Sequence, residues 1–137
     1  EIMPGDWSSD VCSSDLTVNC MKNNQVHANL IHHYAKHMYD VAGIYTLGSQ
    51  SKTYVTENCV HSIYKPGYVH DPNHWFYLYT DEGSSFITVR DNWTEGEKYL
   101  QNANGPGNVW ENNGSGVDAA IRERAGLEEE YKDLKNK

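Results

Sequence analysis

Basic charge is scarce in this chain. Eleven Lys and Arg stand against nineteen Asp and Glu, a formal net charge of −8. No stretch gathers the cations into a stripe, so nothing is in place to neutralise a run of phosphates, and nucleic acid is excluded as a main partner. Long apolar runs are missing too: none approaches the ~18–20 residues that a membrane-spanning helix needs. Three cysteines among 137 residues are too few for a disulfide framework. No internal repeat is apparent at a fixed period, which argues against a solenoid.

The first sixteen residues are set aside before any fold reasoning. Asp6-Trp-Ser-Ser-Asp-Val-Cys-Ser-Ser-Asp-Leu16 resembles the translation of a sequencing-library adapter joined to an open reading frame, and a segment of that origin carries no fold information. On this reading the native start of the protein is replaced. Residues 1–16 hold Glu1, Asp6, Asp10 and Asp15 and no Lys or Arg, so the remainder has 15 acids and 11 bases, net −4. Cys12 leaves the count as well, and Cys20 and Cys59 remain. The rest suits one small domain with one core.

What is present is aromatic and polar: ten Tyr, four Trp and seven His. Leu30, Ile31, Tyr34, Ala35, Met38, Val41 and Ala42 recur at three- and four-residue intervals, which predicts an amphipathic helix from Cys20 to Ala42 with Asn19 as N-cap and Gly43 just past its end. Short strands then follow at 44–47, 53–55 and 59–64. Lys65-Pro66-Gly67 reads as a type II turn and His70-Asp71-Pro72-Asn73 as a second one. Residues 94–99 read as a short helix. The domain is expected to span 17–101, a Gly/Asn-rich linker or loop 102–116, and a charged helix 117–137 that docks loosely or belongs to an interface.

The chemistry concentrates between His74 and Trp93. Two strand-like runs flank Glu82-Gly83, and antiparallel pairing around that turn sets His74 opposite Asp91 on one face. A His oriented by an Asp is two thirds of a nucleophilic triad. Cys20, at the start of the expected helix, is the candidate nucleophile, because a helix N-terminus stabilises a thiolate. Trp75, Asn92 and Trp93 flank this pair and are the candidate substrate-binding residues. A register slip of one would exchange Asp91 for Asn92 or Arg90.

The segments "VNC…HANLIHHYAKHMYDVAGIYTLG" and "HWFYLYTDEGSSFITVRDNW" resemble, in the same chain order, the Cys helix and the His- and Asp-bearing strands of the transglutaminase-like and papain-like cysteine hydrolases. The likeness covers roughly residues 18–93. It departs from the family where Val18-Asn19 precedes the Cys and Asn92-Trp93 follows the Asp. The resemblance implies an α+β fold, an N-terminal helix packed on a small antiparallel sheet. It also implies Cys20 as nucleophile, His74 as base and Asp91 as the orienting carboxylate. The reaction would be amide hydrolysis or acyl transfer on a peptide, protein or cell-wall amide, with no cofactor.

Two other readings compete. The Tyr and Trp content suits a non-catalytic carbohydrate- or protein-binding module, since these rings offer a flat apolar face with a polar edge. His33 and His37, spaced i, i+4 on the expected helix, suit a metal site that His70, His74 or Cys59 would complete.

Overall fold

In the computed structural model the described residues are 21–136. Eleven strands run β1 (Met21–Lys22), β2 (Gln25–His27), β3 (Leu30–His32), β4 (Val41–Thr46), β5 (Ser49–Thr56), β6 (Cys59–His61), β7 (Trp75–Thr80), β8 (Ser85–Arg90), β9 (Trp93–Thr94), β10 (Tyr99–Gln101) and β11 (Val109–Glu111). A helix α1 (Ala119–Arg124) and a 3-10 helix (Glu129–Asn136) follow. Every strand pairing is parallel.

The strands form three sheets. Sheet 1 stacks β1 and β2 on β5, then β8 and β11; sheet 2 stacks β3, β6 and β9; sheet 3 stacks β4, β7 and β10. The chain visits the sheets in the order 1, 2, 3 and then begins again one strand higher. Each circuit is thus one rung of a parallel β-helix, about 4.8 Å above the last. The pairings Val26↔Val55, Val55↔Val89 and Val89↔Trp110 put successive rungs 29, 34 and 21 residues apart.

The corner between sheets 1 and 2 shows why this sequence winds so. Asn29, Asn58, Asn92 and Asn113 stack there, one per rung. Each side-chain Nδ2 donates to the Oδ1 of the next: Asn29 to Asn58 at 2.9 Å, Asn58 to Asn92 at 2.8 Å, Asn92 to Asn113 at 2.8 Å. The upper three also reach down one rung, Asn58 to the carbonyl of Val26, Asn92 to that of Val55 and Asn113 to that of Val89. The backbone N–H groups of Asn29, Asn58 and Asn92 donate to the same Oδ1 atoms. Asn58 and Asn92 are fully buried. A buried amide is tolerable only because donors and acceptors are all matched, and the stack matches them.

The residue before each of these Asn turns the corner in the left-handed region: Ala28, Glu57, Asp91 and Asn112, with φ of 55°, 56°, 55° and 46°. A second such column, Asn23, Lys52, Phe86 and Gly107, bends sheet 1. At Gly107 the glycine is required twice, by φ of 78° and because a Cβ would lie 2.4 Å from Phe86 Cδ1.

Ile44, Val55, Val60, Tyr77, Leu78, Ile87 and Val89 fill the interior, drawn from all three sheets. Partly buried Trp75 and Tyr99 close it on the sheet 3 side. Helix α1, N-capped by Asp118, buries Ile121 and packs on β9. Among the described residues no helix is long and apolar enough to cross a membrane.

Several expectations are corrected. The α+β fold with an N-terminal helix on an antiparallel sheet is replaced by three parallel sheets with C-terminal helices. Residues 21–42 of the expected helix form β1, β2, β3 and the start of β4, and left-handed φ values at Asn23, Ala28, His33, Ala35 and Asp40 are incompatible with a helix. The hairpin does not exist: β7 and β8 belong to sheets 3 and 1, and Glu82-Gly83 lies in the corner between them. Residues 94–99 hold β9 and the approach to β10 rather than a helix, and Gly67 does not take the positive φ of a type II turn. The argument against a solenoid fails with the rest. The adapter-like segment and Cys20 lie outside the described residues.

Candidate functional site

Sheet 3 is the side on which the rungs carry their longest excursions. Residues 33–40 precede β4 and 62–74 precede β7, whereas sheets 1 and 2 are joined by corners of two residues. The strands of sheet 3 send Ile44 and Leu78 into the core. On the opposite side Tyr45 sits beside Tyr79, ring centroids 4.8 Å apart and nearly perpendicular, with Phe76 5.3 Å from Tyr79 and His74 5.0 Å from Phe76. An irregularity makes this possible. Tyr77 and Leu78, neighbours in sequence, both join the core, so the alternation slips and Phe76 and Tyr79 share the outer side.

Two carboxylates frame the aromatic row. Asp81 accepts from the Tyr45 hydroxyl at 2.5 Å and from Asn102 Nδ2 at 2.8 Å. Asp40 lies at the other end, its Oδ1 3.1 Å from His74 Nε2, and its backbone N–H donates to the His74 carbonyl. The buried Tyr79 hydroxyl feels the charge of both acids, Asp81 more than Asp40. The base is buried, with Tyr79 at 3% and Asp81 at 8% exposure, and the rim of Tyr45, Asp40 and His74 is open.

The ionisation follows from these contacts. Burial pushes the Asp81 carboxyl up, but hydrogen bonds from Tyr45, Asn102, the Glu82 backbone and Tyr79 outweigh it and hold the group below the ordinary Asp value. Asp81 is therefore a carboxylate at neutral pH. Tyr45 and Tyr79 move the other way, raised by burial first and then by the neighbouring acids, and stay protonated donors.

A concavity of about 410 Å³ crosses sheet 1 beside Tyr54, His27, Glu57, Arg90 and Asp91. Its acids are already engaged: Glu57 binds Arg124, and Asp91 accepts from Asn112 at 2.6 Å and lies 3.7 Å from Arg90.

His74 thus stands on the sheet 3 face and pairs with Asp40, while Asp91 lies on the sheet 1 corner. Trp75 packs at the edge of the core between Lys65 and Lys98, Trp93 lies under Arg122, and Asn92 is consumed in the asparagine stack. His33 Nδ1 meets His32 Nδ1 at 2.6 Å, and His37 Nδ1 meets the Tyr68 hydroxyl at 2.7 Å, so the two are turned to different partners. Among the described residues no three His, Cys, Asp or Glu side chains are grouped to hold a metal ion. Sequence reasoning missed Asp40, Tyr45, Tyr79 and Asp81, which meet only once β4 is laid beside β7.

The architecture is that of a parallel β-helix with an acid-lined face on one sheet. A solved structure titled "Glycoside hydrolase" is similar to 87% of the chain, at 90% sequence identity and a TM-score of 0.84. The chain spans 20% of that structure's length. No family model and no curated protein matches. The match overturns the transglutaminase-like and papain-like resemblance. The Cys20–His74–Asp91 triad and the peptide, protein or cell-wall amide substrate fall with it.

Proposed function

We propose that the outer face of sheet 3 is a carbohydrate-binding surface with the catalytic carboxylates of a glycoside hydrolase, and that this chain is a segment of such an enzyme. The observation that carries the reading is the pair Asp40 and Asp81 at the two ends of an aromatic row, Asp81 held by the Tyr45 hydroxyl and Asn102 and Asp40 by His74. The 90% identity to a glycoside hydrolase structure supports it.

Glycoside hydrolysis uses two carboxyl groups on opposite sides of the scissile bond. Asp81, held ionised by donors that include Tyr45 and Asn102, takes the proton of the attacking water or stabilises positive charge at the anomeric carbon. Asp40 and His74, 3.1 Å apart at the open rim, form the acid side: the pair passes one proton to the departing sugar oxygen and regains it from solvent. Tyr45, 44% exposed, offers a ring on which a pyranose lies flat.

The test is release of reducing ends from a panel of polysaccharides. Asp81→Asn and Asp40→Asn are each expected to lower turnover at least ~100-fold, the usual scale of a lost acid or base, while binding is retained. Turnover that survives both substitutions removes the catalytic assignment. Binding without turnover in the unaltered chain would favour the non-catalytic carbohydrate-binding reading instead.

A further inference from the structure

The lower end of the solenoid is open. β2, β3 and β4 pair upward with β5, β6 and β7, and among the described residues their other edges meet no strand. Tyr54 N–H donates to the Asn24 carbonyl and Ala28 N–H to the Thr56 carbonyl, so the alternating residues Gln25 and His27 aim their N–H groups downward. The asparagine stack stops here too. Asn58, Asn92 and Asn113 each accept at Oδ1 from the backbone N–H and the Nδ2 of the Asn one rung below. Asn29 Oδ1 accepts from none of the described residues.

The C-terminal segment descends the outer side of sheet 2 to this same end, one rung at a time. Arg122 lies over Trp93, Arg124 binds Glu57, and Gly126 N–H donates to the Ala28 carbonyl at 2.8 Å. These partners belong to the third, second and first rungs. Leu127 then shares a concavity of about 540 Å³ with Asn29, Leu30, Ile31 and His32 of the lowest rung. The 3-10 helix Glu129–Asn136 comes next, and its three-residue turn puts Tyr131 and Leu134 on one face, 49% and 50% exposed.

We infer that this end is an interface for further rungs of a parallel β-helix, supplied by the longer polypeptide of which this chain is a segment. The rung that fits brings an Asn whose N–H and Nδ2 reach Asn29 Oδ1, strands that accept from the downward N–H groups, and apolar residues against Leu127, Tyr131 and Leu134. Leu30, Cys59 and Trp93 form such an apolar column on the outer side of the rungs above. Residues 1–20 are fewer than the shortest spacing between rungs, 21, whereas the chain spans only 20% of the similar glycoside hydrolase. A second copy does not fit. Stacked by its upper end it presents β9, whose outer side its own α1 already covers. The inference rests on the reading of the chain as a segment and on none of the carbohydrate chemistry.

Hydrogen exchange is compared between this chain and a chimaera that carries residues 21–137 in place of the matching stretch of the 90% identical glycoside hydrolase. The Gln25 and His27 amides are expected to exchange at least about 100-fold more slowly in the chimaera, as their N–H groups gain partners. Asn29→Ala, mild in this chain, should there lower the urea midpoint as much as Asn58→Ala does, because Asn29 has become an inner member of the stack. Slowing at β10 and β11 instead, with Gln25 and His27 unchanged, keeps the segment reading and overturns the interface. Slowing at neither end removes both. Tyr131→Asp with Leu134→Asp tests the same face in this chain alone, where the urea midpoint should not move. A loss of stability, or self-association in sedimentation that these substitutions abolish, overturns the proposal.

Discussion

The replacement of Asn58 by Ala tests the solenoid at its most constrained position. Asn58 is fully buried and makes four side-chain hydrogen bonds: Nδ2 donates to the Val26 carbonyl and to Asn92 Oδ1, and Oδ1 accepts from the Asn29 backbone N–H and from Asn29 Nδ2. Two of the partners recover, since Asn29 is exposed and its Nδ2 turns to water, and Asn92 Oδ1 keeps the Asn58 backbone N–H at 3.1 Å. The Val26 carbonyl and the Asn29 N–H do not. At ~1–3 kcal/mol for each buried group left without a partner, the cost is about 2–6 kcal/mol. That is a large part of the 5–15 kcal/mol that holds an ordinary domain together. Asn29→Ala, at the exposed end of the stack, leaves Asn58 Oδ1 with the Asn29 backbone N–H and should cost about 1 kcal/mol. Asn58→Asp keeps the shape but aims an anion at the Val26 carbonyl and Asn92 Oδ1. Its folded pKa is therefore raised, so the loss is full at neutral pH and is relieved as pH falls. Urea denaturation of the three variants measures the midpoints, with the slope unchanged. An Asn58→Ala protein as stable as Asn29→Ala would refute the reasoning.

Other expectations follow from single contacts. A Cβ at position 43 would lie 2.3 Å from Val60 Cγ1, so Gly43→Ala should cost about 1–3 kcal/mol and Val60→Ala in the same chain should recover part of it, as thermal unfolding of the double variant will show. Because Asp81 is held below the ordinary carboxylate value, its contribution to stability is complete at neutral pH and is lost as pH falls below ~4; Asp81→Asn should flatten the acid limb of a stability–pH profile. Burial first, then His32 with Arg122 and His33, lowers the His61 imidazole against the opposing pull of Glu95. The unfolded chain therefore binds the proton more readily. Stability should drop as pH falls through ~6.5, and the drop should shrink in His61→Gln.

Much of the strand content was legible, because Ile44–Leu47, Thr53–Val55 and Cys59–Tyr64 carry the β-branched and aromatic residues of strands and overlap β4, β5 and β6, the first and last running past the strand ends at Thr46 and His61. The architecture was hidden by unequal rungs. The signal is Val-His-Ala-Asn29, Val-Thr-Glu-Asn58, Val-Arg-Asp-Asn92 and Trp-Glu-Asn-Asn113, an interior residue three places before each stacked Asn. Spacings of 29, 34 and 21 residues defeat a search at constant period. The false helix arose because Leu30, Ile31 and Tyr34 fall at helical intervals, although Ile31 and Tyr34 reach the interior from a strand and a loop. His74 was expected to pair with Asp91, and it pairs with Asp40 instead. Asp40, 34 positions upstream, meets it only through the lateral pairing of β4 with β7. Nothing local in the sequence marks Tyr45, Tyr79 and Asp81 as neighbours of that pair.

Backbone amide shift mapping during titration with an oligosaccharide addresses the central claim directly, because it locates the ligand whether or not the segment turns over. The account predicts that shifts gather at Asp40, Tyr45, His74, Tyr79 and Asp81 on the outer face of sheet 3. Shifts confined to the sheet 1 groove at Tyr54 and Arg90, or none on any face at saturating ligand, would contradict it.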